Sequence, residues 1–190
     1  MKKYIGLVLV AMSGCILTVN AQQSFSYKNP LLPTELRVND LLGRMTLEEK
    51  IAQIRHLHSW DVFDGQILNQ EKLDKMCGGI GYGFFEGFPL TAASCRKTFR
   101  EIQTYMVEKT RLGIPGFPVA ESLHGVVHEG TTIYPQNIAM GSTFNPELAY
   151  EKTKHIAGEL NTMGVKQVLA PCIDVVRDLR WGRVEESFGE

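Results

Sequence analysis

Charged side chains follow two short apolar runs in this chain, and their types suit ligand binding. Phe117-Pro118-Val119-Ala120 leads straight into Glu121-Ser122-Leu123-His124-Gly125. Residues 165–170 lead through Pro171-Cys172-Ile173 into Asp174, and then into Arg177-Asp178-Leu179-Arg180-Trp181-Gly182-Arg183. A carboxylate accepts from neighbouring hydroxyls, a guanidinium donates in a fixed fork, and an aromatic ring covers the apolar face of a sugar. Such a set converging on one rim suits a polyhydroxylated ligand. Glu121 and Arg177 are the candidate binding pair.

Each of these residues also has a structural reading. Glu121 would be stabilised as a carboxylate at a helix N-terminus. Arg177 would pair with Asp174 or Asp178, and Arg183 with Glu186 reads as a buried brace, because guanidinium and carboxylate match fork to fork. Trp181 suits core or rim packing as well as a sugar platform. His124 and His128 stand at i, i+4, but the order is not His-Glu-x-x-His, and Gly125 with two valines makes a poor helix. His56-Leu57-His58 adds no third ligand. No metal site and no cofactor are expected.

Helices and strands must alternate to hold these groups. Val38, Leu41, Leu42 and Met45 recur at helical spacing from Thr34, and Leu47, Ile51 and Ile54 continue the stripe. Thr46 and Glu49 form a capping box, each satisfying the other's orphan N–H. Residues 60–70 read as loop, and 78–85 as a short strand entering a glycine-rich turn. A helix is predicted over 91–111, with Phe99, Ile102 and Met106 on one face, stopped by Gly113-Ile114-Pro115. Residues 117–120 read as a strand. Asn145-Pro146 opens another helix with Leu148, Ile156, Leu160 and Met163 buried, ended by Gly164. Residues 165–176 are the strongest strand candidate. Brief apolar strands between long helices argue a parallel sheet covered by helices. About three strand–helix units are too few for a closed eight-stranded barrel.

The 190 residues are 44% hydrophobic and 22% charged, enough to bury a core. Twenty basic against 21 acidic side chains leave a net charge of −1, which excludes a basic nucleic-acid-coating protein and an acidic disordered tail. Lys2 and Lys3, the apolar stretch 5–16 and Val19-Asn20-Ala21 read as a signal peptide over 1–21. The stretch is too short to be a membrane span, which needs about 20 apolar residues, so the protein is expected to be exported, periplasmic or extracellular. Cys15 offers an alternative as a lipid attachment point. Residues 22–33 read as a polar leader, and 34–190 as the folded part. Cys77, Cys95 and Cys172, odd in number and irregularly spaced, read as small buried hydrophobes, with one bridge open to them.

Taken in order, these segments resemble the N-terminal domain of glycoside hydrolase family 3. The resemblance rests on Arg37-Val38-x-Asp40-Leu41-Leu42-x-Arg44-Met45-Thr46-Leu47-Glu48-Glu49-Lys50-Ile51, Glu121-Ser122-Leu123-His124-Gly125, Tyr134-Pro135-Gln136 and Ser142-Thr143-Phe144-Asn145-Pro146-Glu147-Leu148. It continues through Ala170-Pro171-Cys172-Ile173-Asp174, 177–183 and Glu186-Ser187-Phe188-Gly189-Glu190, with Leu179 where the family pattern usually has Pro. The resemblance implies α/β architecture, the N-terminal portion of a TIM-like (β/α)8 barrel, incomplete here. It also implies an exo-acting retaining β-glycosidase releasing terminal β-D-glucosyl or β-D-xylosyl residues from oligosaccharides. Glu121 and Arg177 then hold the terminal sugar. The nucleophile and the acid/base lie in the C-terminal remainder of the barrel and in a second α/β domain, so the segment by itself is expected to be inactive. Retaining hydrolysis needs carboxyl groups about 5–5.5 Å apart, and the adjacent Glu185 and Glu186 diverge. Glu rather than Asp at 121 reaches one methylene further, which leaves xylose and glucose both open. A non-catalytic carbohydrate-binding or surface interaction protein is the alternative.

Overall fold

The computed structural model describes residues 26–87 and 91–189. The expected signal peptide, with Cys15, lies outside the described residues. The chain divides into two units, one ending at Arg44 and the other beginning at Met45.

In the first unit a 3-10 turn, Ser26–Lys28, precedes helix α1, Thr34–Arg44. The Tyr27 N–H donates to Asp40 Oδ2 at 3.0 Å and Arg37 Nε donates to the Tyr27 carbonyl at 2.8 Å. The described part of the expected leader is therefore folded against α1 by polar contacts. The helical stripe is real but does not make a core in this unit: Val38 and Leu42 are each 46% exposed.

In the second unit the elements are α2 (Leu47–Ala52), β1 (His56–His58), α3 (Ser59–Val62), β2 (Phe63–Asp64), β3 (Ile67–Leu68), α4 (Gln70–Cys77) and β4 (Phe84–Glu86). They continue with α5 (Ala92–Lys109), β5 (Phe117–Glu121), α6 (Asn137–Gly141), α7 (Pro146–Met163), β6 (Gln167–Leu169) and a 3-10 turn, Val184–Glu186. Strands β1, β4, β5 and β6 form one parallel sheet in chain order. Helices form the crossovers, as parallel neighbours require. This is α/β architecture with the strand succession of a TIM-type barrel.

Local chemistry explains most boundaries. The capping box opens α2, Thr46 Oγ1 accepting from Glu49 N while Glu49 Oε2 accepts from Thr46 N at 2.8 Å. Asn145 caps α7 with Pro146 in its first turn, and Gly164 ends it in the left-handed conformation, φ 92°. Helix α5 stops earlier than Gly113: Thr110 turns extended, its hydroxyl donating back to the Met106 carbonyl at 2.5 Å. The expected loop 60–70 holds α3 and the β2–β3 hairpin. The expected long strand from 165 contracts to Gln167–Leu169, because Pro171 cannot donate to a ladder.

The sheet's helix-facing side is the core. Leu57, Phe85 and Ala120 pack there with Phe99, Ile102 and Met106 of α5, Ile156, Leu160 and Met163 of α7, and Cys77 and Cys95. Phe85 meets Phe99 edge-on at 5.7 Å. Leu148 departs from its expected place, 47% exposed, and the buried side of α7 starts instead at Lys152. Leu47, Ile51 and Ile54 are likewise exposed. Cys172 is only half-buried, and all three cysteines are free thiols.

Candidate functional site

Side chains alternate along each strand, so the register sorts them into two faces. Opposite the helices lie His56 and His58, Phe84 and Glu86, and Phe117, Val119 and Glu121. Aromatic stacking confirms the sharing of this face: His56 lies over Phe84 at 5.0 Å between centroids, and Phe84 over Phe117 at 5.8 Å. The last residues of β1, β4 and β5 are His58, Glu86 and Glu121. Polar groups therefore gather at the carboxyl ends of the strands, where parallel α/β folds put their chemistry.

Glu86 lies between two imidazoles. One carboxylate oxygen lies 3.0 Å from His56 Nδ1 and the other 3.3 Å from His58 Nδ1. The His58 ring in turn lies parallel to the Trp60 indole, 4.3 Å away with 8° between planes. A cavity of about 330 Å³ opens beside them, lined among others by His58, Trp60, Glu86, Val119, Glu121 and His128. A larger groove of about 920 Å³ runs between α5 and α7, where helix and loop side chains line it and no strand end reaches it.

Glu121 ends β5, and an irregular segment follows it, so the helix N-terminus considered for it does not exist. Partial desolvation raises its carboxyl above the usual glutamate range, the negative charge of Glu86 adds to this, and Arg183 opposes it. The loop beyond is pinned: the Tyr134 N–H donates to the His124 carbonyl at 2.8 Å, and His124 Nδ1 lies 3.0 Å from the Tyr134 carbonyl. Gly125 permits this closure, with φ 113° and no room for a Cβ against the Thr132 carbonyl. Burial lowers the imidazolium pKa of His128.

The cation whose field reaches Glu121 is Arg183, which the sequence had placed in a brace. That brace forms, Arg183 Nε donating to both Glu186 oxygens at 2.8 Å, but it is not buried: the Arg183 side chain is 60% exposed. Asp178 pairs with Arg180, Nε to Oδ1 at 2.9 Å, rather than with Arg177, and Asp174 accepts from the Cys172 thiol at 3.2 Å. Among the described residues no hydrogen bond or ion pair engages Arg177, and none joins it to Glu121. Arg177 is exposed with its donors uncommitted, and Trp181 is half-buried. Sequence reasoning missed Glu86, His58 and Trp60 as neighbours of Glu121. The alternation of His56 and His58 around Leu57 was the available signal for β1.

The model of the glycosyl hydrolase family 3 N terminal domain matches residues 46–190. The chain belongs to that family. It is 34% identical over 173 residues to a putative beta-xylosidase of Formosa agariphila, covering 88% of this chain and 23% of that protein. It is 30% identical over 190 residues to a periplasmic beta-glucosidase of Salmonella typhimurium, covering 99% of this chain and 23% of that one. Among solved structures, a beta-glucosidase from Erythrobacter marinus superposes with a TM-score of 0.74 at 30% identity, over 89% of this chain and 22% of the other. The beta-glucosidase of Listeria innocua in complex with isofagomine gives 0.65 at 32%, over 84% and 21%. The chain thus spans under a quarter of the length of each of these four relatives. Among the described residues no helix is long and apolar enough to cross a membrane.

Proposed function

We propose that the full-length protein is an exo-acting retaining β-glycosidase that removes terminal β-D-glucosyl or β-D-xylosyl residues from oligosaccharides, and that this segment forms the wall that grips the terminal sugar. Supporting this is one observation above the rest: Glu86 and Glu121 stand at the ends of neighbouring parallel strands and line one cavity. Ionised carboxylates are acceptors only, so two of them at one rim bind hydroxyl groups. Arg177 is the cationic partner that the family resemblance implies for this subsite, while the cation whose charge reaches Glu121 is Arg183. The nucleophile and the proton donor come from the rest of the barrel and a second α/β domain. Glu186 is already tied to Arg183 and takes neither role. Export to the periplasm or beyond fits the amino-terminal segment read as a signal peptide and the periplasmic relative.

Full-length protein incubated with nitrophenyl β-glucoside and nitrophenyl β-xyloside tests the reading. Release of nitrophenol with first-formed sugar of retained anomeric configuration is the expected result, and Glu121→Gln should raise KM at least tenfold, about 1.4 kcal/mol. Inertness toward both glycosides, with sugar binding intact, would point instead to a carbohydrate-binding protein.

A further inference from the structure

We propose that Trp60 is the stacking wall for a pyranose ring of the substrate in the cavity that Glu86 and Glu121 also line. The inference rests on the glycosidase reading and deepens it by naming the apolar side of the subsite.

Trp60 is 68% exposed yet held in orientation. One face of its indole lies on the His58 imidazole at 4.3 Å and 8°. Glu86 lies beside His58, its Oε1 3.3 Å from Nδ1 without a hydrogen bond, its other oxygen faces His56, and His56 rests on Phe84. The edge of the indole is backed by Gly87, where a Cβ would stand 3.6 Å from Trp60 Cζ3. A tryptophan placed for packing would bury both faces of its large ring. Here one face is fixed by a stack and the residue lines a ligand-sized cavity.

The carboxylates of that cavity have the complementary chemistry. A pyranose presents C–H groups on its faces and hydroxyls around its edge. The faces suit an indole, and the hydroxyls suit acceptor-only carboxylates. Strand β4 lies between β1, which leads to Trp60, and β5, which ends in Glu121. The cavity's 330 Å³ falls at the small end of ligand sites, which run from about 300 to 1,000 Å³. Glu86 is thereby placed to accept a hydroxyl beside the imidazole on which the platform rests.

The test uses the full-length protein with Trp60→Ala, Trp60→Leu and Trp60→Phe. KM and kcat are read on nitrophenyl β-glucoside and β-xyloside, and Kd for free glucose and xylose by calorimetry. Trp60→Ala and Trp60→Leu should raise KM and Kd about tenfold, with kcat changed much less, while Trp60→Phe stays within about threefold of wild type. The leucine variant keeps apolar bulk without a ring, so equal loss in both supports stacking. Unchanged KM and Kd in the alanine and leucine variants, with wild type binding sugar normally, would overturn the platform and leave the glycosidase reading intact. A wild-type protein that neither binds sugar nor cleaves either glycoside would overturn both.

Discussion

Arg111 holds Glu49 in a two-pronged grip across 62 residues of chain, Nε donating to Oε1 at 2.7 Å and Nη2 to Oε2. The same carboxylate accepts from the Thr46 N–H, so one buried side chain, 4% exposed, both caps α2 and ties it to the segment after α5. Removing the guanidinium strands that carboxylate. Arg111→Met should cost about 1.5–3 kcal/mol, the scale of hydrogen bonds to charged groups. Arg111 is also the main cause holding Glu49 below the usual glutamate range, with burial opposing it. A depressed carboxyl stabilises the fold above its unfolded pKa and loses that contribution as pH falls through the folded value. The difference in Tm between wild type and Arg111→Met should therefore be full at neutral pH and shrink in acid. A pH-independent gap would contradict this.

What could be read from the sequence follows the range of the interaction. The capping box was legible because Thr46 and Glu49 are three residues apart, but nothing local pointed to Arg111. Glu121 was legible as the end of an apolar strand. Strand β1 was not read, since two of its three residues are histidines and only their alternation around Leu57 marks it. Missing β1 hid the site's second half, because β4 lies between β1 and β5 and only that order brings His58 and Trp60 beside Glu86. The segment from 170 to 189 has no periodicity, so the sequence could not tell that Arg183 rather than Arg177 would face Glu121 electrostatically.

The loop that follows Glu121 depends on a backbone only glycine adopts easily. At Gly125, φ is 113° and a Cβ would stand 2.3 Å from the Thr132 carbonyl. Gly125→Ala should destabilise by about 1–3 kcal/mol, the cost of strain at such a position, and raise KM by shifting Glu121. Gly158, inside α7 with nothing within 4 Å of its Cβ position, is the control. Gly158→Ala should stabilise by about 0.5–1 kcal/mol. Thermal unfolding of both variants checks the contrast, and equal effects would show that the 124–134 closure is slack.

Glu121 should respond to pH in the opposite sense to Glu49. Partial desolvation, then Glu86, raises its carboxyl. A raised carboxyl costs the fold nothing below its unfolded pKa, and the penalty develops as pH rises through the folded value. Glu121→Gln removes that penalty, so its Tm relative to wild type should climb from acid to neutral pH. Glu86→Gln should weaken the climb by removing the neighbouring charge. A flat difference across that range would mean Glu121 is fully hydrated and not desolvated at the cavity rim.

Lys152 carries a charge where few lysines do, 7% exposed on α7. Its ammonium donates to Asn137 Oδ1 at 2.8 Å and to the Pro135 carbonyl at 3.3 Å, and Asn137 Nδ2 donates onward to the Glu186 carbonyl at 2.9 Å. Burial lowers its pKa, yet nothing in this chain of contacts neutralises it with an anion. The arrangement makes sense as a tether: it holds the turn at Val184–Glu186, hence the Arg183–Glu186 pair, and hence the cation that offsets the field on Glu121. Lys152→Met keeps the length and loses the donors, leaving Asn137 Oδ1 and the Pro135 carbonyl unpaired at about 1–3 kcal/mol. If the tether acts on Arg183, the variant should also move the pH at which Glu121 titrates upward, as Arg183→Met does, and combining the two should shift it no further than Arg183→Met alone. Additive shifts in the double variant would show that Lys152 stabilises the fold without positioning the site.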